Sequence, residues 1–299
     1  MSDIPHTPSH TPSPAEQDAV ASKVSKRGNP PNLDTSPNLD TLPNLDKVPG
    51  HWLLARLGKR VLRPGGRELT SYLLAKLNIT PSDDVVEFAP GLGVTTRDIL
   101  ERQPASYTGV EQNAAAVAVV NKLQGAANQR CLQASAQDSE LPANSADVVM
   151  GEAFLTMQSP SHKAKIVAEA FRILRPGGRY GLHELCLRPD DMPLALQDDV
   201  RRDLAKAIRV NAQPLTVADW RALVTSVGFE VEAVRTVDMG LLRPKRLIQD
   251  EGLAGVLRIV FNVLRKPAAR RRVLTMRATF QRHAPQLGAV GLVARKPLD

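Results

Sequence analysis

The chain has 299 residues, 42% of them hydrophobic, and a formal net charge of +8 at pH 7. This length and composition predict a globular protein with one sizeable core, and no apolar run is long enough to span a bilayer. The two cysteines, Cys131 and Cys186, lack the spacing of a metal site or of a disulfide framework. The first residues contain no apolar signal-peptide core, so we expect a cytoplasmic protein.

The first 50 residues contain nine of the 23 prolines and no aromatic residue, which leaves them without the means to bury a core. The tripeptide Asn-Leu-Asp recurs there at residues 32–34, 38–40 and 44–46. A period of six residues is too short for a solenoid repeat. We therefore interpret residues 1–50 as a disordered tail, with a linear recognition motif as the alternative.

Two helices are predicted next, over residues 51–61 and 68–77, and the run R-P-G-G at residues 63–66 separates them. The segment Asp84 to Thr96 then predicts a strand, a glycine-containing turn and the start of a helix. Such a turn lets a ligand approach backbone N–H groups at the helix N-terminus. Twenty residues after Gly91, a second predicted strand ends in Glu111, a spacing that suits an acceptor for ribose hydroxyls.

Strands and helices alternate as far as residue 187, which predicts a doubly wound, mainly parallel α/β sheet. A helix over residues 161–174 ends at the second R-P-G-G run, residues 175–178, and a strand follows. Ligands of such sheets bind beyond the carboxyl ends of the strands. This rule identifies candidate site residues at or just past the strand ends: Glu87, Glu111, Glu152 and the pair His183–Glu184.

Together these segments resemble the class I S-adenosylmethionine-dependent methyltransferases that act on small molecules, over about residues 69–187. The sequence E-F-A-P-G-L-G looks like the first motif of that family, with Ala89 where glycine is usual. The resemblance implies a Rossmann-like fold with an antiparallel last strand, S-adenosyl-L-methionine as cofactor and no metal. It also implies these cofactor-binding residues: Glu87, Ala89, Gly91 and Gly93 for the methionine part, Glu111 for the ribose, and Gln112, Ala136, Gln137 and Asp138 beside the adenine.

The methyl acceptor is expected to bind near Glu152 and His183. His183 is the first candidate for a general base, because histidine changes its charge near neutral pH. Glu184 or Glu152 would orient it or replace it. The alternative is a histidine that packs at a strand end and bonds to the backbone. A nucleophilic Cys186 is disfavoured, because a cysteine needs an activating neighbour to be reactive.

Beyond residue 187 the pattern predicts a helix over residues 198–210, a second helix opened by a capping box at Thr216 and Asp219, and strands over residues 229–237 and 289–295. An insertion at about residues 238–283 carries an apolar helical stripe, and we expect it to shape the acceptor pocket. The predicted domains are the tail at residues 1–50, N-terminal helices at 51–80, and a methyltransferase domain at 81–299 that includes this cap insertion.

Residues 243–282 contain eleven Lys or Arg and only two acidic residues. Three interpretations stay open: this region binds nucleic-acid phosphates, it rests on an anionic membrane surface and admits a lipid-like substrate, or it is a solvated cap that attracts an acidic small molecule. The scarcity of aromatic residues disfavours nucleic acid. An RNA methyltransferase and a non-catalytic cofactor-binding scaffold are the alternative functions, and the L-R-P-G-G unit disfavours an NAD-dependent dehydrogenase. The sequence does not indicate the oligomeric state.

Overall fold

The computed structural model describes residues 48–298. The Pro-rich tail, with its three Asn-Leu-Asp repeats, lies outside the described residues apart from its last three positions. Its interpretation as a disordered tail or as a recognition motif therefore stays a prediction.

The described chain builds one sheet of eight strands in the order β3-β2-β1-β4-β5-β8-β7, with the short β6 paired to the end of β5. β1 to β5 are parallel, and β8 runs antiparallel to both β5 and β7. The doubly wound Rossmann-like sheet with an antiparallel last strand is thereby confirmed. The strands are β1 Asp84–Phe88, β2 Ser106–Glu111, β3 Gln129–Gln133, β4 Ala146–Glu152, β5 Leu174–Leu187, β6 Leu215–Thr216, β7 Glu230–Asp238 and β8 Leu287–Arg295.

Helices cover both faces of the sheet, and three of those in residues 48–298 begin at a side-chain cap. The predicted capping residue Thr216 accepts a hydrogen bond at 3.1 Å from the backbone N–H of Asp219. Asn113 and Ser159 cap two further helices in the same way. The helices are α1 Gly50–Arg56, α2 Gly66–Leu77, α3 Val94–Leu100, α4 Ala114–Asn121, α5 Pro160–Ile173, α6 Leu194–Ile208, α7 Val217–Ser226, α8 Pro244–Arg265 and α9 Pro267–Arg282, with a 3₁₀ turn at Leu155–Met157.

The central strands β1, β4 and β5 are buried on both faces, as expected of parallel strands between two helical layers. Successive residues of β1 illustrate the alternation: Val86 and Phe88 join the core on one face, and Val85 joins the core on the other. The helix α2 packs on the second face, where Leu73 contributes to the core. This arrangement leaves the carboxyl ends of β1, β2 and β4 facing the loops that carry the candidate site.

The predicted cap insertion forms the two helices α8 and α9. Gly252 interrupts α8 with φ 71° and ψ 169°, a conformation that glycine adopts without steric cost. The first part of α8 lies against α2, while α9 packs on α6 and α1. No helix within residues 48–298 is long and apolar enough to cross a membrane.

Candidate active site

The glycine-containing turn joins β1 to α3. Ala89, Gly91 and Gly93 all have positive φ, at 53°, 56° and 68°. A Cβ on Gly91 would meet only the carbonyl oxygen of Ala89, at 3.9 Å, whereas a Cβ on Gly93 would lie 2.4 Å from a methyl carbon of Leu123. Gly91 therefore leaves open space beside the backbone, and the positive φ of Gly93 favours glycine there.

Glu87 lies near the end of β1 and is 3% exposed. Its carboxylate accepts hydrogen bonds from the Thr96 hydroxyl at 2.7 Å and from the Tyr107 hydroxyl at 2.6 Å. Burial raises the pKa of Glu87 to about 7, although both hydrogen bonds act in the opposite direction. A buried carboxylate of this kind favours a cationic partner, which restores its charge. Neither Thr96 nor Tyr107 was identified as a site residue from the sequence.

Glu111, the last residue of β2, connects the glycine-containing turn to that strand. Its carboxylate accepts from the backbone N–H of Gly91 at 3.1 Å and from that of Asn113 at 2.9 Å. The predicted spacing of twenty residues therefore brings Glu111 beside Gly91. A carboxylate at a strand end next to an open glycine is suited to bind hydroxyl groups.

The loop after β3 lies beside the residue that follows Glu111. The Gln112 side-chain amide donates to the Ser135 hydroxyl at 3.1 Å, and the same hydroxyl accepts from the Gln137 backbone N–H at 3.2 Å. The Asp138 N–H bonds to the Ser135 carbonyl at 3.0 Å and so closes the loop. The structure thus brings Gln112 together with residues 136–138.

Glu152, the last residue of β4, has three hydrogen-bond partners and one ion-pair partner. The Thr70 hydroxyl lies 2.6 Å and His183 Nδ1 2.7 Å from its Oε1, and the Thr95 hydroxyl bonds to Oε2. Arg63 Nη1 lies 3.4 Å from Oε2. Burial alone would raise the pKa of Glu152, but Arg63, His183 and Thr70 together lower it to about 2. Glu152 is therefore ionised at all ordinary pH values.

His183 lies inside β5 and not at its end, because β5 continues to Leu187 in register with β8. The prediction of a strand-end histidine is corrected in this respect. His183 is nevertheless level with the end of β4, since it pairs with Glu152. Its Nδ1 meets the Glu152 carboxylate and its Nε2 donates to the Pro64 carbonyl. Both ring nitrogens are therefore engaged by oxygen atoms, one of Glu152 and one of the Pro64 backbone.

Glu184 points to the opposite face of the sheet from His183, because successive strand residues alternate. Its carboxylate accepts from the backbone N–H groups of residues 154–156 at 2.9, 2.7 and 3.1 Å, and from the Thr156 hydroxyl at 2.7 Å. Burial raises the pKa of Glu184 against these hydrogen bonds. Of the two carboxylates expected to orient His183, Glu152 makes the contact and Glu184 does not.

Arg63 comes from the first R-P-G-G run, which the sequence identified only as a turn. Gly65 and Gly66, with φ of 73° and 59°, turn the chain into α2 and leave the Arg63 side chain over the end of β4. That side chain is 8% exposed. Its Nε and Nη2 have no hydrogen-bond partner within residues 48–298. A buried guanidinium with unused donors is suited to bind a carboxylate or a phosphate.

The segment that carries Arg63 is held by the first part of α8. Glu251 accepts from the backbone N–H groups of residues 60 and 61, each at 2.9 Å, and Asp250 accepts from the N–H of Arg67 at 3.0 Å. Lys59 Nζ lies 3.4 Å from Glu251 and is fully buried. The cap insertion therefore holds in place residues 59–67, which cover the site. Within residues 48–298, the hydrogen bonds and ion pairs shown for Glu87 and Glu152 come from outside the insertion.

Cys186 is 1% exposed, and burial raises the pKa of its thiol to about 12. The reactive thiolate form is disfavoured there. This environment gives no support to a nucleophilic cysteine.

Comparisons with known proteins agree with this geometry. The family model described as a methyltransferase domain matches residues 86–182. An uncharacterised protein of Haemophilus influenzae is 33% identical over 251 residues, which are 83% of this chain and 98% of that protein.

Two solved structures share the fold. The MccD protein has a TM-score of 0.63 at 20% identity, with 78% of this chain and 99% of that chain covered. Phosphoethanolamine N-methyltransferase 2 of Haemonchus contortus, solved with S-adenosyl-L-methionine, has a TM-score of 0.61 at 16% identity, with 83% and 57% covered. The matched sequence motifs, the sheet order and the methyltransferase family model lead to one conclusion: the chain belongs to the class I S-adenosylmethionine-dependent methyltransferases, enzymes whose cofactor is S-adenosyl-L-methionine.

Proposed function

We propose that the protein transfers a methyl group from S-adenosyl-L-methionine to a small-molecule acceptor that binds over the ends of β4 and β5. The observation that carries this proposal is the pairing of a carboxylate cluster with the unused donors of Arg63 at that end of the sheet. The fold shared with a phosphoethanolamine N-methyltransferase supports a small acceptor. The bound cofactor supplies a methyl group that the sulfonium has already activated, so the protein mainly supplies proximity and orientation.

The residues around the glycine-containing turn fit the cofactor. Glu87, a buried carboxylate, matches the amino group of the methionine part, and the free donors of Arg63 match its carboxylate. The open space at Gly91 leaves room for the chain between them. The turn residues Ala89 and Gly93 complete this side of the site.

The ribose and the adenine would lie further along the strand ends. We assign the ribose hydroxyls to Glu111, which already bonds to Gly91. The adenine would lie between Gln112 and the loop of Ala136, Gln137 and Asp138. The hydrogen bonds of that loop to Ser135 support this assignment.

On the acceptor side we propose that Glu152 faces the acceptor and that His183 is a positioning residue. The two ring nitrogens of His183 are engaged by Glu152 and by the Pro64 carbonyl, so neither faces the methyl acceptor in this arrangement. The general-base role that the sequence predicted would need the Pro64 contact to open first. Glu184, on the other face of the sheet, would position residues 154–156 and take no part in proton transfer.

Calorimetric titration of the purified chain with S-adenosylhomocysteine tests the cofactor side. We expect micromolar binding, at least about tenfold weaker in Glu111→Ala, because each lost hydrogen bond to a charged group costs about 1.5–3 kcal/mol. Glu230→Ala is the matched control, since Glu230 is an exposed carboxylate at the start of β7. Equal affinities for all three proteins would contradict the assignment of Glu111.

A screen of small-molecule acceptors with methyl-labelled cofactor then tests the acceptor side. We expect the label on an amine, hydroxyl or acidic carbon of a small molecule, and not on a polynucleotide. Label found only on RNA would contradict the proposed acceptor class and would favour the RNA methyltransferase alternative. Cofactor binding without transfer to any acceptor would favour a scaffold role.

A further inference from the structure

We propose that the exposed apolar face of α8 and the basic junction between α8 and α9 dock on an anionic lipid bilayer surface. We define the apolar docking face by five residues of α8: Leu253, Leu257, Val260, Phe261 and Leu264. We define the basic junction by four residues: Arg265, Lys266, Arg270 and Arg271.

The apolar docking face follows the helical period. Its five members occur at spacings of four, seven, eight and eleven residues from Leu253, so they lie on one side of the helix. Their exposed fractions are 69, 70, 47, 55 and 60%. At 1.5 Å rise per residue, the face is about 16 Å long. The protein packs the other side of α8 instead, where Gly255 and Ile259 are buried.

This face is unusual within the molecule. Of eleven exposed large hydrophobic residues within residues 48–298, seven belong to α8 and α9. Scattered exposed leucines need no explanation, but a continuous apolar face marks an interaction surface. The question is therefore which partner covers it.

The charge beside the face indicates an anionic partner. The Arg265 guanidinium lies 4.9 Å from the centre of the Phe261 ring, so positive charge is in contact with the apolar face itself. Lys266, Arg270 and Arg271 follow at once and are exposed. Other arginines of the insertion form ion pairs, for example Arg243 with Asp238, whereas the four basic-junction residues have no carboxylate within 4.0 Å in the described part of the chain.

An apolar helix face with a cationic border is the composition of helices that lie in the interface of anionic membranes. Each Lys or Arg near such a surface adds electrostatic attraction, and burial of the apolar face adds hydrophobic stabilisation. A nucleic acid would satisfy the charge but not Leu253, Leu257, Val260 and Leu264, which offer no stacking surface. A bilayer satisfies both features with one partner.

The docking face is continuous with the cover of the candidate site. Asn262 donates to the Leu57 carbonyl at 3.1 Å and Arg258 to the Gly58 carbonyl at 3.4 Å, just before the segment that carries Arg63. If α8 docks, the segment that carries Arg63 would lie close to the lipid surface. The docking proposal does not depend on the identity of the methyl acceptor, so it is tested by binding alone.

Co-sedimentation of the full chain with vesicles tests the proposal. One vesicle preparation contains phosphatidylcholine alone, and the other contains phosphatidylcholine mixed with phosphatidylglycerol. We expect binding to the mixed vesicles that weakens as salt is raised. Leu257→Ser/Phe261→Ser should lower the partition coefficient at least about tenfold, because two large apolar side chains are removed from the interface. Lys266→Gln/Arg270→Gln/Arg271→Gln should lower it and flatten the salt dependence.

Leu298→Ser is the matched control, because Leu298 is 76% exposed but lies beside Gly177, outside α8 and α9. All substituted residues are exposed, so each variant should keep the thermal midpoint of the parent chain. Equal binding by the parent and Leu257→Ser/Phe261→Ser, or equal binding to both vesicle types, would overturn the proposal. A dimer that Leu257→Ser/Phe261→Ser dissociates, or RNA binding without vesicle binding, would overturn it as well.

Discussion

The sequence R-P-G-G occurs twice, at residues 63–66 and 175–178, and the two copies lie at opposite ends of the sheet. Arg175 lies at the amino ends of the strands, where it bonds to Asp84 at 2.8 Å and to Asp147 at 2.6 Å. Its side chain is 38% exposed and both partners are charged. Arg63 lies over the carboxyl end of β4, where it is 8% exposed and leaves two nitrogens unused.

The difference separates a structural arginine from one suited to bind a ligand. In both copies the proline and the glycines end one element and turn the chain into the next. The role of the arginine then depends on which end of the sheet the turn reaches. Arg175, at the amino ends, joins two strands. Arg63, at the carboxyl ends, where ligands of such sheets bind, keeps free donors.

The largest expected effect comes from Arg63→Gln. We predict that its affinity for S-adenosylmethionine, measured by equilibrium dialysis, falls about 100-fold, because truncation of one partner of a buried charged pair costs about 2–5 kcal/mol. Arg175→Gln, the matched control, should keep the affinity within about twofold. Equal losses in both variants would mean that the comparison between the two arginines fails.

The second largest effect is expected at His183, which contacts the first R-P-G-G run through the Pro64 carbonyl. We predict that His183→Ala lowers kcat about 30-fold and keeps the cofactor affinity, because misplacement of a site group costs up to about 100-fold. His183→Gln, which can still donate to Glu152, should recover a large part of kcat, and the pH–rate profile should keep its shape. Loss of one limb of that profile in both variants would instead support the general-base role.

A pH titration compares the two carboxylates that flank Arg63. Burial raises the pKa of Glu87 to about 7, whereas Arg63 and His183 outweigh burial and lower the pKa of Glu152 to about 2. Below pH 7 the Glu87 carboxyl is protonated in the free protein, and binding of a cationic amino group must release that proton. We therefore predict that S-adenosylhomocysteine binds about tenfold more weakly at pH 6 than at pH 8. Glu87→Gln should bind more weakly overall and lose this pH dependence, and a dependence that persists in Glu87→Gln would assign it to another group.

The smallest expected effect is the stability loss in Arg175→Gln. Its two ion pairs are partly exposed, so solvent screening limits their contribution, and we expect the free energy of unfolding to fall by about 1 kcal/mol. Urea denaturation measures this change. A loss well above this value, or a changed cofactor affinity in Arg175→Gln, would contradict the structural role of Arg175.

The cofactor half of the site could be predicted because it is local in sequence. Glu87, Gly91 and Glu111 come from one strand, one turn and the next strand, and their spacing reflects the length of a β–α–β unit. The fold could be predicted for the same reason, since alternating strand and helix patterns leave few topologies. The opposite faces of His183 and Glu184 also follow from the period of two in a strand, although the two residues are adjacent in sequence.

The acceptor half could not be predicted because its contacts join distant residues. Thr70 and Thr95 meet Glu152 across 82 and 57 positions of sequence. Arg63 reaches the site only because Asp250 and Glu251, far along the chain, hold the backbone around it. No local pattern distinguishes this R-P-G-G run from the other.

The most direct test of the central claim is a calorimetric comparison of two ligands on three proteins. S-adenosylhomocysteine carries the amino-acid group and methylthioadenosine lacks it. If Arg63 binds the carboxylate, Arg63→Gln should lower the affinity for S-adenosylhomocysteine about 100-fold and leave the affinity for methylthioadenosine almost unchanged. Arg175→Gln should change neither affinity. Equal losses for both ligands in Arg63→Gln, or no loss for either, would contradict the account.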